Sequence, residues 1–183
     1  MDKKYLYKIE FESEEKGVEY CLKKGVVEKE IRRYKLNDVI TFSSRIKERD
    51  SSILSNMYHC DLYYNGLKFN SLEQAYHYFL FDGKPDVQGE IMRCKTSFEV
   101  KKVGKKYVCN GNFKVLEFCM RLKYKYCKEF SDILVKSGNK EIVEYAEWGD
   151  VIYGCCKYGE DGLIGQNACG RIMMKVREDM RNK

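Results

Sequence analysis

A glutamate at position 73, a histidine four residues later and an aspartate at position 150 are the side chains of this sequence best suited to moving protons or stabilising a developing cation. Glu73 is followed by Tyr76, His77 and Leu80 at helical spacing, so a helix over 73–81 places the carboxylate and the imidazole on one face, close enough to share a proton. The plain reading is also available: a Glu in the first turn answers the helix dipole, and most histidines only fill a surface or a core. Asp150 follows Trp148-Gly149 and precedes Val-Ile-Tyr153-Gly154. An Asp there is either a turn former or, beside rings that can stack on a base, an acid or base. Local spacing leaves both pairs of readings open.

The elements that must carry these groups follow from patterning. Asp61-Leu-Tyr-Tyr-Asn65-Gly66-Leu-Lys-Phe69 reads as two short strands about an Asn-Gly turn. A helix over 73–81 follows, capped by Asn70 or Ser71 with Glu73 or Gln74 closing a capping box, and it ends at Gly83-Lys-Pro85. Further helices are predicted over about 87–103, 112–136, 141–145 and 167–181. Residues 5–12 alternate and 18–22 form a second apolar run after an acidic turn at 13–17, the pattern of an antiparallel hairpin. Residues 39–42 form a further apolar segment, and 43–55 read as loop. Residues 146–166, with Gly149, Gly154, Gly159, Gly162 and Gly165, read as a long functional loop. From it Gly162-Leu-Ile-Gly165-Gln-Asn167-Ala-Cys-Gly170 leads into a helix whose first amides could receive a phosphate. No G-K-[ST] ends this run and no βαβ unit leads into it, so it is neither a P-loop nor a dinucleotide fingerprint. Strands followed by helices without βαβ alternation give an α+β class.

Composition narrows the function classes. The 183 residues are 44 % hydrophobic, 34 % charged and 14 % aromatic with a single proline, the make-up of a folded domain rather than a disordered chain. No run approaches the roughly 20 apolar residues that cross a bilayer, and the first ten lack an apolar signal core, so no membrane association and a cytoplasmic location are expected. The nine cysteines include no C-x-x-C pair, which favours buried, reduced thiols over zinc ligands or disulfides. The formal charge of +6 is unevenly spread: residues 91–128 hold eleven Lys or Arg against two Glu, a local +9. Solvated helix faces would explain it, as would a phosphate-bearing partner, whether nucleotide or nucleic acid.

In chain order, Phe42, Leu54-Ser55-Asn56-Met-Tyr58, Asn65-Gly66, Phe69-Asn-Ser-Leu-Glu73-Gln-Ala-Tyr76, Lys102-Val-Gly-Lys105, Ser137-Gly-Asn-Lys-Glu-Ile-Val-Glu144, Asp150-Val-Ile-Tyr-Gly154 and Gly165-Gln-Asn167-Ala-Cys-Gly170-Arg-Ile-Met-Met174 together resemble the NADAR/YbiA-like family over about 40–177. The resemblance implies a single helix-rich α+β domain of the YbiA-like type with small antiparallel strands over 39–183, preceded at 1–38 by an added hairpin region. It also implies an N-glycosidase that needs no cofactor or metal and hydrolyses a ribose C1–N bond. The substrate classes it brings are ADP-ribosylated guanine, in DNA or RNA, and the phosphoribosylamino intermediates of riboflavin synthesis. On this resemblance Glu73 is the principal carboxylate with Asp150 and His77 as catalytic partners. Phe42, Ser55, Asn56, Tyr153, Gly154, Asn167 and Gly170 would bind substrate, Tyr153 by stacking and the glycines through backbone amides. Two positions depart from the family's pattern: Leu80 stands where a lysine is usual, and Tyr153 where a tryptophan is. A weak ADP-ribose or nucleotide binder and a basic nucleic-acid-binding module are the competing readings.

Overall fold

A computed structural model describes residues 8–45, 48–107 and 110–182. In chain order the elements are β1 (Glu10–Phe11), α1 (Glu14–Lys23), β2 (Arg32–Lys35), β3 (Ile40–Phe42), α2 (Arg49–Leu54), β4 (His59–Tyr64), β5 (Leu67–Ser71), α3 (Leu72–Leu80), α4 (Pro85–Arg93), α5 (Ser97–Lys106), α6 (Phe113–Tyr126), α7 (Lys128–Lys136), β6 (Ile142–Glu144), β7 (Cys156–Tyr158), β8 (Gly162–Gly165) and α8 (Ala168–Arg181). The α+β class stands. Two compact units divide the chain, Met1–Ser43 with Ser137–Lys175, and Ser44–Lys136 with Val176–Lys183.

In the first unit four strands pair in the order β1-β7-β8-β2, with β1 parallel to β7 and the other neighbours antiparallel. The hairpin predicted near the N-terminus is corrected here; the part of it at 5–7 lies outside the described residues. Ser13 caps a helix rather than opening a turn, Glu14 and Glu15 sit in the first turn where the dipole favours acid, and Cys21 is buried. Gly17 looked like a turn glycine but allows contact with β8: a Cβ there would lie 2.7 Å from Ile164 Cγ2. The N-terminal segment therefore supplies two strands of this sheet and the helix on it, packing Cys21, Val26 and Ile31 with Val151, Cys156 and Ile164.

The helix predicted at 141–145 is also corrected. Ile142 and Val143 are β-branched, and they form β6, which pairs in parallel with β3 through Ile40↔Ile142 and Phe42↔Glu144. The long loop predicted over 146–166 is shortened by a hairpin: β7 and β8 turn at Gly159, whose φ is +52°.

In the second unit β4 and β5 form the expected hairpin, with Asn65 (φ 45°) and Gly66 (φ 77°) at its tip and Tyr64 opposite Leu67. The two long helices predicted at 87–103 and 112–136 are each broken in two, and the loop at 43–55 contains α2. Thr96 begins α5 with a full capping box to Glu99, and α7 starts after Cys127. At the centre lies Lys123, with none of its surface exposed. Its ammonium donates to the carbonyls of Ile53 and Ser55, each at 2.7 Å, and lies over the Phe130 ring 4.6 Å from the centroid. A buried ammonium is tolerated only with such partners. Replacing it by methionine keeps the bulk and orphans the carbonyls. Lys123→Met is expected to lose roughly 1–3 kcal/mol for each carbonyl left without a donor, read from urea unfolding.

Candidate functional site

Ser71 is the N-cap of α3, its hydroxyl accepting from Gln74 N–H at 3.2 Å. The Gln74 side chain reaches back, its Oε1 accepting from Asn70 N–H at 2.8 Å, while its amide donates to the carbonyls of Ile91 and Cys94. Ser71 thus does the capping, Gln74 braces the residue before it, and Glu73 takes part in neither. Glu73 is 7 % exposed, its N–H donates to the Asn56 carbonyl at 2.9 Å, and its Oε1 accepts from His77 Nε2 at 3.2 Å. The ring therefore carries its proton on Nε2, since an ionised carboxylate can only accept. His77 Nδ1 is buried and has no hydrogen-bond partner among the described residues.

Burial pushes the Glu73 carboxyl up, but the His77 hydrogen bond and the charges of Lys101 and His77 outweigh it, so Glu73 is held below the ordinary glutamate range. A depressed carboxyl adds stability above its unfolded pKa and loses it as pH falls through the lowered folded value. Glu73→Gln is therefore expected to flatten the acid limb of a stability–pH profile below about pH 4, measured as thermal midpoint against pH.

The His77 ring rests on α5 where Gly104 leaves room; a Cβ there would overlap Cε1 and Nδ1. Gly104→Ala improves helix propensity by up to about 1 kcal/mol while pushing the imidazole off Glu73. It is expected to keep the fold by circular dichroism and, if the pair is catalytic, to lower turnover by roughly 10²-fold, the cost of misplacing a reacting group by about 1 Å.

The other residues singled out from the sequence fare differently. Asn56 lies in the loop held by Lys123, and its carbonyl meets the start of α3. Ser55 is buried and its hydroxyl accepts from Met57 N–H, so it closes a turn there. Phe42 is 1 % exposed, which makes its ring core rather than a surface for a ligand. In the first unit, Asp150 Oδ1 accepts from the Ile152 and Tyr153 amides at 3.1 and 2.9 Å, a turn-forming role that leaves Oδ2 outside those bonds. Asn167 is wholly buried: its Nδ2 donates to the Ile142 carbonyl and the Tyr34 hydroxyl, and its Oδ1 accepts from Glu144 N–H. Its amide is thus held by three protein partners. The amides of Asn167, Ala168 and Cys169 already donate to the carbonyls of Gly154, Ile152 and Tyr153. Gly154 and Gly170 serve close packing, the first against the Glu144 carbonyl and the second against that of Ile142.

Two residues missed as site candidates emerge only in the folded chain. Lys101 acts electrostatically on Glu73, and Glu144 lies against Gly154 and Asn167. The basic run 91–128 was the one sequence signal that included Lys101. Among the described residues no group of three or more His, Cys, Asp or Glu could hold a metal ion, and no helix is long and apolar enough to cross a membrane.

Comparison with known proteins gives three findings. The NADAR domain family matches residues 41–181. A riboflavin biosynthesis protein of Vibrio vulnificus (strain YJ016) is 25 % identical over 145 residues, covering 73 % of this chain and 37 % of its own length, so the chain spans little more than a third of that relative. The solution NMR structure of the E. coli protein YbiA is similar with a TM-score of 0.64 at 18 % identity, over 78 % of this chain and 86 % of that one, which establishes likeness of fold.

Proposed function

Because the chain belongs to the NADAR domain family, we propose that it is a hydrolase of N-glycosidic bonds that cleaves the ribose C1–N bond of a phosphate-bearing ribosyl compound, with Glu73 as its principal carboxylate. The observation that carries this reading is the buried Glu73–His77 pair: a carboxylate kept ionised out of water, at a helix start where capping does not need it. Cleavage of a C1–N bond develops oxocarbenium character on the sugar. A preorganised carboxylate in a dry setting stabilises that charge and orients or deprotonates the attacking water. His77, through Nε2–H, fixes the rotamer of Glu73 and withholds one of its oxygens, leaving the other for the reaction. The electron pair of the broken bond leaves with the nitrogen, which takes a proton, and water supplies hydroxide to C1.

The substrate candidates are ADP-ribose joined to guanine in a nucleic acid and a phosphoribosylamino intermediate of riboflavin synthesis, the latter supported by the name of the Vibrio relative. Both carry phosphate and ribose and suit the basic run at 91–128.

The test is incubation of the protein with each candidate and mass spectrometry of the products. Release of free ADP-ribose or ribose 5-phosphate is expected, and Glu73→Gln is expected to lower the rate at least 10²-fold. Undiminished release by Glu73→Gln would remove Glu73 from the mechanism. Tight binding of ADP-ribose without release would leave a binding protein.

A further inference from the structure

α3 and α5 lie side by side in register. Ser97 Oγ, at the start of α5, is 3.0 Å from Ser71 Oγ at the start of α3, and seven residues on Gly104 packs against His77, six residues beyond Ser71. The helices therefore run parallel, and the intervening turn of α5, Val100 and Lys101, faces Glu73 and Gln74. Val100 is fully buried in a cluster with Phe81, Val87 and Ile91, which fixes the rotation of α5 about its axis. Lys101, the next residue round, is half-buried at the edge of that interface, beside Glu73.

Four of the other ten cations of the basic run are committed, and of all eleven only Lys101 has its charge felt by Glu73. Lys106 pairs with Glu90, Arg121 with Glu117 and Asp179, Lys128 with Asp132, and Lys123 is consumed by carbonyls. Lys101 makes no hydrogen bond or ion pair among the described residues, although its charge is felt by Glu73. Within pairing distance the ammonium would be taken up by the carboxylate; held farther off, it still favours the ionised form of Glu73 and has no anion of its own.

We infer that Lys101 binds the anionic phosphate of the ligand, holding it beside the Glu73–His77 pair. The assignment rests on the N-glycosidase reading for the identity of the ligand, while the binding it describes can be read without turnover. A phosphate here accepts a charge-assisted hydrogen bond from an ammonium whose stem is held at the edge of a helix interface.

The test uses ribose 5-phosphate, ADP-ribose and unphosphorylated ribose as probes in calorimetric titration of the full chain. Wild type, Lys101→Met, Lys101→Arg and, as a control one residue away on the exposed face, Lys102→Met are compared, with thermal midpoints recorded for each. Lys101→Met is expected to weaken the phosphorylated probes at least 10-fold and to reduce the salt dependence of their binding. Lys101→Arg is expected to restore most of the affinity because it keeps the charge, and Lys102→Met to leave it within 2-fold. Binding of ribose should be the same in all four. Equal affinity of wild type and Lys101→Met for ribose 5-phosphate, or no binding of either phosphorylated probe by wild type, overturns the assignment. Should Lys101→Met lower the midpoint markedly, the decision falls to Lys101→Arg against Lys102→Met: loss in the arginine variant alone, with an unchanged midpoint, also overturns charge recognition. Hydrolysis assays on the Glu73→Gln variant report separately on the N-glycosidase reading, so affinity lost at Lys101 without any turnover upholds the anion site while removing the enzyme.

Discussion

The buried ammonium of Lys123 is the constraint on which the second unit depends. One cation from the middle of α6 holds the carbonyls of Ile53 and Ser55, and the loop thus fixed presents the Asn56 carbonyl to the N–H of Glu73. An unpartnered charge in that position would cost several kcal/mol, so the loop cannot drift from α6 without exposing or orphaning the ammonium. The start of α3 inherits this rigidity. Ser71, Gln74 and Asn70 then tie it to the end of α4 and the start of α5 through hydrogen bonds to the Ile91, Cys94 and Lys95 carbonyls and the Ser97 hydroxyl.

Such scaffolding lets a carboxylate be placed where local stability does not ask for one. Ser71 caps α3 and Gln74 holds the Asn70 amide just before it, while Glu73 turns inward to His77. A buried ionised carboxylate is unfavourable unless hydrogen-bonded and near positive charge, and both conditions are met by residues from α3 and α5. Room for the imidazole comes from Gly104, a residue that weakens α5 by its own propensity. The concession lies where the fold holds its one inward-facing Glu–His pair among the described residues, which is where function rather than stability is expected to set the residue types.

In the first unit the residues singled out from the sequence also hold backbone turns and close contacts. Asn167 has a left-handed backbone, φ 53°, and an amide with three protein partners, and its neighbours close the first turn of α8 onto the 152–154 segment. A glycine-bearing run before a helix looks like an anion cradle in sequence. Here its amides meet carbonyls, so the glycines serve contact between backbones. Asp150 similarly orders the turn that carries Tyr153. The N-terminal segment, read as a hairpin appended to the domain, instead contributes β1, β2 and α1 to the first unit.

What the sequence determined by itself was whatever is encoded within a few residues. Asn65-Gly66 specified a hairpin because both positions tolerate positive φ; Ser71 and Gln74 specified a helix start; and Glu73 and His77 were bound to meet because four residues are one turn. The ordered motifs from Phe42 to Met174 likewise carried the family. Tertiary structure decided the rest, because the determining partners are far apart in the chain. The segment 141–145 read as helical until pairing with β3 made it a strand, and the apolar pattern of 18–22 suited a strand until β8 received Gly17. Which of eleven clustered cations stands beside Glu73 depended on the register of α5 against α3, set by Ser71–Ser97 and His77–Gly104 contacts that span about 26 residues and that no local pattern encodes.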